Sequence, residues 1–97
     1  MKALKRVEII CGAIESKKLM EVIEEQELRG YTMIRNVQGL GSRGIQDADG
    51  LHDGFQNVMI ILGISNEEFE QIKEPLRKFL KRSGGVCMVS DAEWLMH

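Results

Sequence analysis

One proline, one tryptophan, one tyrosine and two cysteines are all that these 97 residues hold of those four types. Cys11 and Cys87 each sit inside an apolar, strand-like run, which suits reduced core thiols better than a disulfide framework. No stretch approaches the roughly 18 apolar residues of a membrane span. There is no excess of charge of either sign: 13 Lys and Arg stand against 15 Asp and Glu, for a net charge of −2. Such a chain has no field to hold a nucleic-acid backbone or an anionic membrane. Its densest cationic cluster (Arg77, Lys78, Lys81, Arg82) falls at the end of a predicted helix, where it complements the helix dipole. The start, Met1 to Arg6, runs directly into a strand pattern with neither a hydrophobic signal region nor a cleavage site, so a cytoplasmic location is expected. The only histidines are His52 and His97, and no nucleophile is paired with a base, so catalysis is not expected.

What is present is a regular succession of apolar patterns. Residues 5–12 read as a strand through Val7, Ile9 and Ile10, closed by Gly12. Leu19, Val22, Ile23 and Gln26 recur at helical spacing over 15–28, with Ser16 the expected N-cap and Gly30 the stop. Strand character returns over 31–38 and again over 56–64, the most hydrophobic run. A second helix follows, for which Asn66 is the expected cap and Glu67 and Glu68 suit the first turn. Its stripe is Phe69, Ile72, Leu76, Phe79 and Leu80, and Pro75 predicts a kink or break near Glu74. Gly84 and Gly85 end it, Val86 to Val89 form a last strand, and Asp91 to His97 a short tail. The order βαββαβ gives one α+β domain over residues 1–97, a ferredoxin-like sandwich with both helices on one face of a four-stranded antiparallel sheet.

Two features go beyond that plan. In the strand at 58–62, Val58, Ile60 and Leu62 point one way and Met59 and Ile61 the other, yet both sets are apolar. Val86 to Val89 is also apolar on both faces. A sheet with helices on one face only should alternate, so another copy of the chain is the expected cover. The second feature is the segment 39–55, longer than the about 12–15 residues usual for a structureless loop. It opens Gly39-Leu40-Gly41-Ser42-Arg43-Gly44, which brings together what a phosphate needs (close backbone approach, a hydroxyl and a guanidinium), although glycine-rich turns are common and the pattern by itself is a weak signal.

The run from Gly30-Tyr31-Thr32-Met33 to Val37-Gln38-Gly39-Leu40-Gly41 resembles the PII superfamily pattern of a G-x-T strand leading to G-x-G, from which the long T-loop departs. The strand order and the early Lys5-Arg6-Val7-Glu8 strand agree. The Gly-Ser-Arg step and the ending Val89-Ser90-Asp91-Ala92-Glu93-Trp94 resemble the PII-like branch linked to bicarbonate uptake and carboxysomes. The resemblance implies a homotrimer with nucleotide sites between subunits and a regulated partner, a membrane transporter or a metabolic protein. By position, Thr32 would contact the adenosine end, Gly39 and Gly41 would shape the loop base, and Ser42 and Arg43 would approach the phosphates. Gly84 and Gly85 stand at the family's B-loop, here a bare turn. Its ligands would be AMP, ADP, ATP or cyclic AMP, with bicarbonate as a further small ligand. Nitrogen-sensing members carry a glutamine just after G-x-G and a tyrosine in the T-loop; Ser42 and Arg43 stand here instead, and residues 39–55 hold no tyrosine. That favours the carbon-linked branch over 2-oxoglutarate sensing.

Three other readings are weaker. RNA recognition on this fold needs aromatic stacking residues on the sheet, and Gln56 to Gly63 has none. A trimeric divalent-metal-binding tolerance protein of the same fold would use Asp47, Asp49, His52 and Asp53, but Val58 stands where an EF-hand's last acidic ligand belongs. Met33, Met59 and Met88 read as adaptable core rather than metal ligands. Residues 42–54 hold too little apolar surface to offset ordering entropy, so they are expected to order only around a nucleotide or a partner.

Overall fold

The structure, a computed structural model, describes residues 1–28, 30–38 and 57–97. The elements run β1 (Lys2–Gly12), α1 (Ala13–Glu25), β2 (Thr32–Val37), β3 (Asn57–Ile64), α2 (Asn66–Ser83) and β4 (Val86–Trp94). Neighbouring strands are antiparallel in the order β2-β3-β1-β4. The expected βαββαβ sandwich is therefore the observed one.

Period-two burial selects the helix-side face. Val7, Ile9 and Cys11 of β1 and Val58, Ile60 and Leu62 of β3 are at most 1% exposed and pack with Leu19 and Ile23 of α1 and Ile72, Leu76 and Phe79 of α2. Burial of each large aliphatic side chain contributes about 1.5–3 kcal/mol, so this single cluster dominates the stability of the subunit.

The helix ends differ from expectation in instructive ways. α1 begins at Ala13 with Gly12 as N-cap, and Ser16 lies within the first turn, its hydroxyl donating to the Ala13 carbonyl at 2.7 Å. The helix stops at Glu25, before Gly30, because a closing motif forms on Glu27 at φ 59. The Glu27 N–H donates to the Glu24 carbonyl at 2.9 Å and the Leu28 N–H to the Ile23 carbonyl at 3.3 Å. That arrangement returns Leu28, 6% exposed, to the core, which offsets the left-handed backbone of a non-glycine residue.

At α2 the cap is Ser65 rather than Asn66. The Ser65 hydroxyl accepts from the Glu68 N–H at 3.0 Å, and the Ser65 N–H donates to Glu68 Oε1 at 2.9 Å, a reciprocal pair that satisfies two otherwise orphaned donors. Pro75 lies inside α2 and does not break it. Its missing N–H would have met the carbonyl of Gln71, an exposed position where water can substitute. At the far end Gly84 adopts φ 79 and Gly85 φ 109. A Cβ at Gly85 would stand 2.7 Å from the Ile10 carbonyl oxygen, so both conformation and space demand glycine there.

β4 is longer than the run Val86–Val89. Ser90 to Trp94 continue the ladder against β1, with Leu4 opposite Ala92 and Lys2 opposite Trp94, and Lys5 pairs with Asp91 across the strands. Residues of weak strand propensity are held here by pairing to a neighbour rather than by local preference. β2 carries a bulge between Arg35 and Val37, with Asn36 at φ 60, a conformation asparagine tolerates.

The cap assignment is directly testable. Ser65→Ala should lower stability by about 0.5–2 kcal/mol in urea unfolding at fixed protein concentration, whereas Asn66→Ala should change it by only a few tenths. Equal losses for the two variants would show that the capping box is not the start of α2.

Candidate functional site

The sheet face away from the helices is apolar along much of its width, and no element among the described residues lies over it. Pairing registers place Ile10, Met59, Ile61, Ile34, Val86 and Met88 together on it. Ile34 is 45% exposed, Val86 50% and Met88 65%. Met33 packs against the core as expected. Met59 and Met88 do not; their register puts them on this outer face, so they are surface in one chain. Arg6 and Glu8 lie on the same face and pair through Arg6 Nε and Glu8 Oε2 at 2.6 Å. A charge pair that is already made costs less to cover than two separate charges.

The sequence-derived site residues divide between opposite edges of the sheet. Thr32 opens β2 at one edge, opposite Ile61, and its side chain is on the outer face. Gly84 and Gly85 lead into β4 at the other edge, with β3 and β1 between. One chain therefore keeps the two groups at opposite edges of the sheet, with two strands between them. Gly39, Gly41, Ser42 and Arg43 lie outside the described residues, as do Asp47, Asp49, His52, Asp53 and the T-loop 42–54.

Beside Thr32 the structure shows an open cavity of about 900 Å³. Gly30, Tyr31 and Thr32 form one wall, Ile61 and Gly63 of β3 the floor, and Leu4, Ala92 and Trp94 the far side. Arg6, Glu27, Glu68, Glu93 and His97 stand around it. The Trp94 indole crosses from β4 to β3 and rests on Gly63: a Cβ there would lie 2.7 Å from its Cζ2. Of the residues lining this cavity, the sequence reading named Thr32, for the adenosine end of a nucleotide, and did not single out Tyr31, Gly63 or Trp94 as site residues. The available signal was Gly63 itself, a glycine interrupting the most apolar strand, which marks close approach of another group.

The Nitrogen regulatory protein P-II family model matches residues 4–96. The chain belongs to the PII family. Among solved structures it is similar to CPII, a nitrogen regulatory PII-like protein from Thiomonas intermedia K12. With CPII bound to ADP, AMP and bicarbonate it shares 25% identity at a TM-score of 0.78, covering 95% of this chain and 94% of that one. With CPII bound to ADP and bicarbonate the identity is 27% at the same TM-score of 0.78, covering 95% and 88%. A PII-like signalling protein from Thermus thermophilus shares 26% identity at a TM-score of 0.70, covering 94% and 88%. No curated protein matches the chain in sequence. The expected PII-like membership is thus established, and a trimer is consistent with that family. No helix among the described residues is long and apolar enough to cross a membrane.

The two thiols of this PII subunit share the helix-side face, Cys87 opposite Ile9 and Cys11 two positions along β1, and both are free. Burial pushes the Cys11 thiol from its ordinary 9.0 up to about 11, with the Glu15 carboxylate adding to the effect; burial also raises Cys87. A raised thiol value means that folding holds the proton more tightly than the unfolded chain does. The associated stability is complete below about pH 9 and is lost as pH rises towards 11. Urea midpoints should accordingly fall between pH 9 and 11 in the parent and fall less in Cys11→Ala. Identical pH profiles for the two proteins would contradict the assigned cause.

Proposed function

We propose that this chain is a PII-like regulator. Three copies would hold an adenine nucleotide in the clefts between them and control a protein partner in inorganic-carbon (bicarbonate) uptake or carbon and nitrogen metabolism, in the cytoplasm. The observation that carries this reading is the division of the site: Thr32 with its cavity at the β2 edge, Gly84 and Gly85 at the β4 edge. An apolar outer face between those edges supplies the surface through which copies would associate. The CPII structures bound to ADP, AMP and bicarbonate support the ligand class.

In this reading the base of the nucleotide sits near Thr32, and the phosphates meet the Gly85 N–H of a neighbouring copy, the Gly84 N–H being taken by the Leu80 carbonyl at 2.9 Å, and the Gly39–Arg43 segment. Glycine backbone donates hydrogen bonds but cannot neutralise charge, so Arg43 has the deciding role. It is the only Lys or Arg between Arg35 and Lys73. The protein acts as a switch rather than a catalyst: occupancy of the cleft would set the arrangement of the T-loop, and the T-loop would meet the partner. Bicarbonate would be a second input at the same loop.

Calorimetric titration with AMP, ADP, ATP and cyclic AMP, each with and without bicarbonate, tests the ligand class. At least one nucleotide should bind; none binding would defeat the proposal. A charge-assisted contact contributes about 1.5–3 kcal/mol, or about tenfold to a hundredfold in affinity. Arg43→Ala should weaken the phosphorylated ligands by that factor and leave adenosine binding and ligand-free melting unchanged. Unchanged affinity for AMP, ADP and ATP would remove the phosphate role from this loop.

A further inference from the structure

The cavity at the β2 edge has a charge pattern that decides which end of a nucleotide it can take. Three carboxylates, Glu27, Glu68 and Glu93, stand around it, whereas the cation lining it is Arg6, already paired with Glu8 at 2.6 Å. Such a rim repels phosphate and suits an uncharged ring, above all one whose exocyclic amine can donate to a carboxylate or to the Thr32 hydroxyl. The walls agree with that choice. Leu4, Ile61 and Ala92 are apolar, Tyr31 and Trp94 are aromatic, and Gly63 withdraws so that the indole lies close to the sheet. The indole surface already meets one heteroaromatic ring in this chain: the His97 imidazole lies 4.6 Å from it, centroid to centroid, at an interplanar angle of 36°.

We propose that Trp94 is the base-stacking wall of the nucleotide site, held in place by the missing side chain at Gly63, and that it selects for the adenine ring while the phosphates lie outside the cavity. This deepens the nucleotide-binding reading above and rests on it. Trp94 lies at the end of β4, eight residues beyond Val86, in a stretch read from sequence as a tail. Ladder pairing with Lys2 fixes its backbone, and contact with Leu4 and Gly63 fixes its ring. A ring anchored on one side by packing loses little freedom when a base stacks on its remaining surface.

Trp94 is the only tryptophan, so its emission reports on this one position. The parent should show a saturable change in tryptophan fluorescence on titration with ADP, with the same midpoint as calorimetry. Trp94→Leu should bind ADP about five- to a hundredfold more weakly, the range for loss of one base–aromatic stack, and Trp94→Phe should recover part of that loss. Gly63→Ala, which drives the indole from its seat, should weaken ADP with Trp94 still present. Each variant is compared at equal assembly mass, so that a loss of association is not counted as a loss of stacking. Calorimetric binding of ADP with flat fluorescence and an unweakened Trp94→Leu would overturn the stacking role and leave the nucleotide reading intact. No calorimetric binding of any adenine nucleotide to the parent would overturn both.

Discussion

The outer face of the sheet is the constraint on which the rest depends. Two helices can cover one face of four strands, and here α1 and α2 cover the face carrying Val7, Ile9, Val58, Ile60 and Leu62. β3 is nevertheless apolar on both sides, and its Met59 and Ile61 share the outer face with Ile10 of β1 and with Val86 and Met88 on the edge strand. An uncovered area of this kind favours association at about 25 cal/mol for each Å² of apolar surface removed from water. In the proposed assembly, subunit stability and subunit association would thus be carried by opposite faces of the same strands. A change on the helix side would act on folding, whereas a change at Met88 or Val86 would act on assembly.

That arrangement also explains why a functional site is divided. The sheet order puts β2 and β4 at the two edges, so residues that open β2 and residues that open β4 never meet within a chain. In the proposed assembly, copies would meet through the outer face and an edge of one would approach an edge of the next. Thr32 and the cavity beside it would then form half of a cleft whose other half is the Gly84–Gly85 turn. Those two glycines are required for a local reason as well, since φ 79 and φ 109 and, at Gly85, the nearby Ile10 carbonyl disfavour a side chain. The same turn terminates the helix, the Gly84 N–H donating to the Leu80 carbonyl, and leads the chain into β4 at the sheet edge.

Much of this was legible in the residues, and the failures have physical causes. The order of elements followed from periodicity, because Val58, Ile60 and Leu62 alternate with Met59 and Ile61 over a full strand and the helices carry clean stripes. The two-sided apolar pattern at 58–62 was readable from the residues alone, and the register places Met59 and Ile61 on the outer face. Boundaries were less legible. Ser65 and Asn66 are both competent caps, and only the reciprocal bonds with Glu68 separate them. Gly30 has the character of a helix stop, but burial of Leu28 closes α1 earlier on Glu27. Asp91 and Glu93 hid the second half of β4, since their strand conformation comes from pairing with β1. That error concealed Trp94, and with it the far side of the cavity beside Thr32. Site residues in segment 39–43 came from the family pattern, and the described residues place only Thr32, Gly84 and Gly85.

The central claim is that the chain is a subunit and that its binding site is completed by copies of itself. Sedimentation equilibrium at micromolar concentration measures this most directly. The account predicts a particle of three times the 11.0 kDa chain mass, reduced to a folded monomer by Met88→Asp with α1 and α2 intact by circular dichroism. A parent protein that sediments as a stable 11.0 kDa monomer, yet binds an adenine nucleotide as tightly as any assembly, would contradict it.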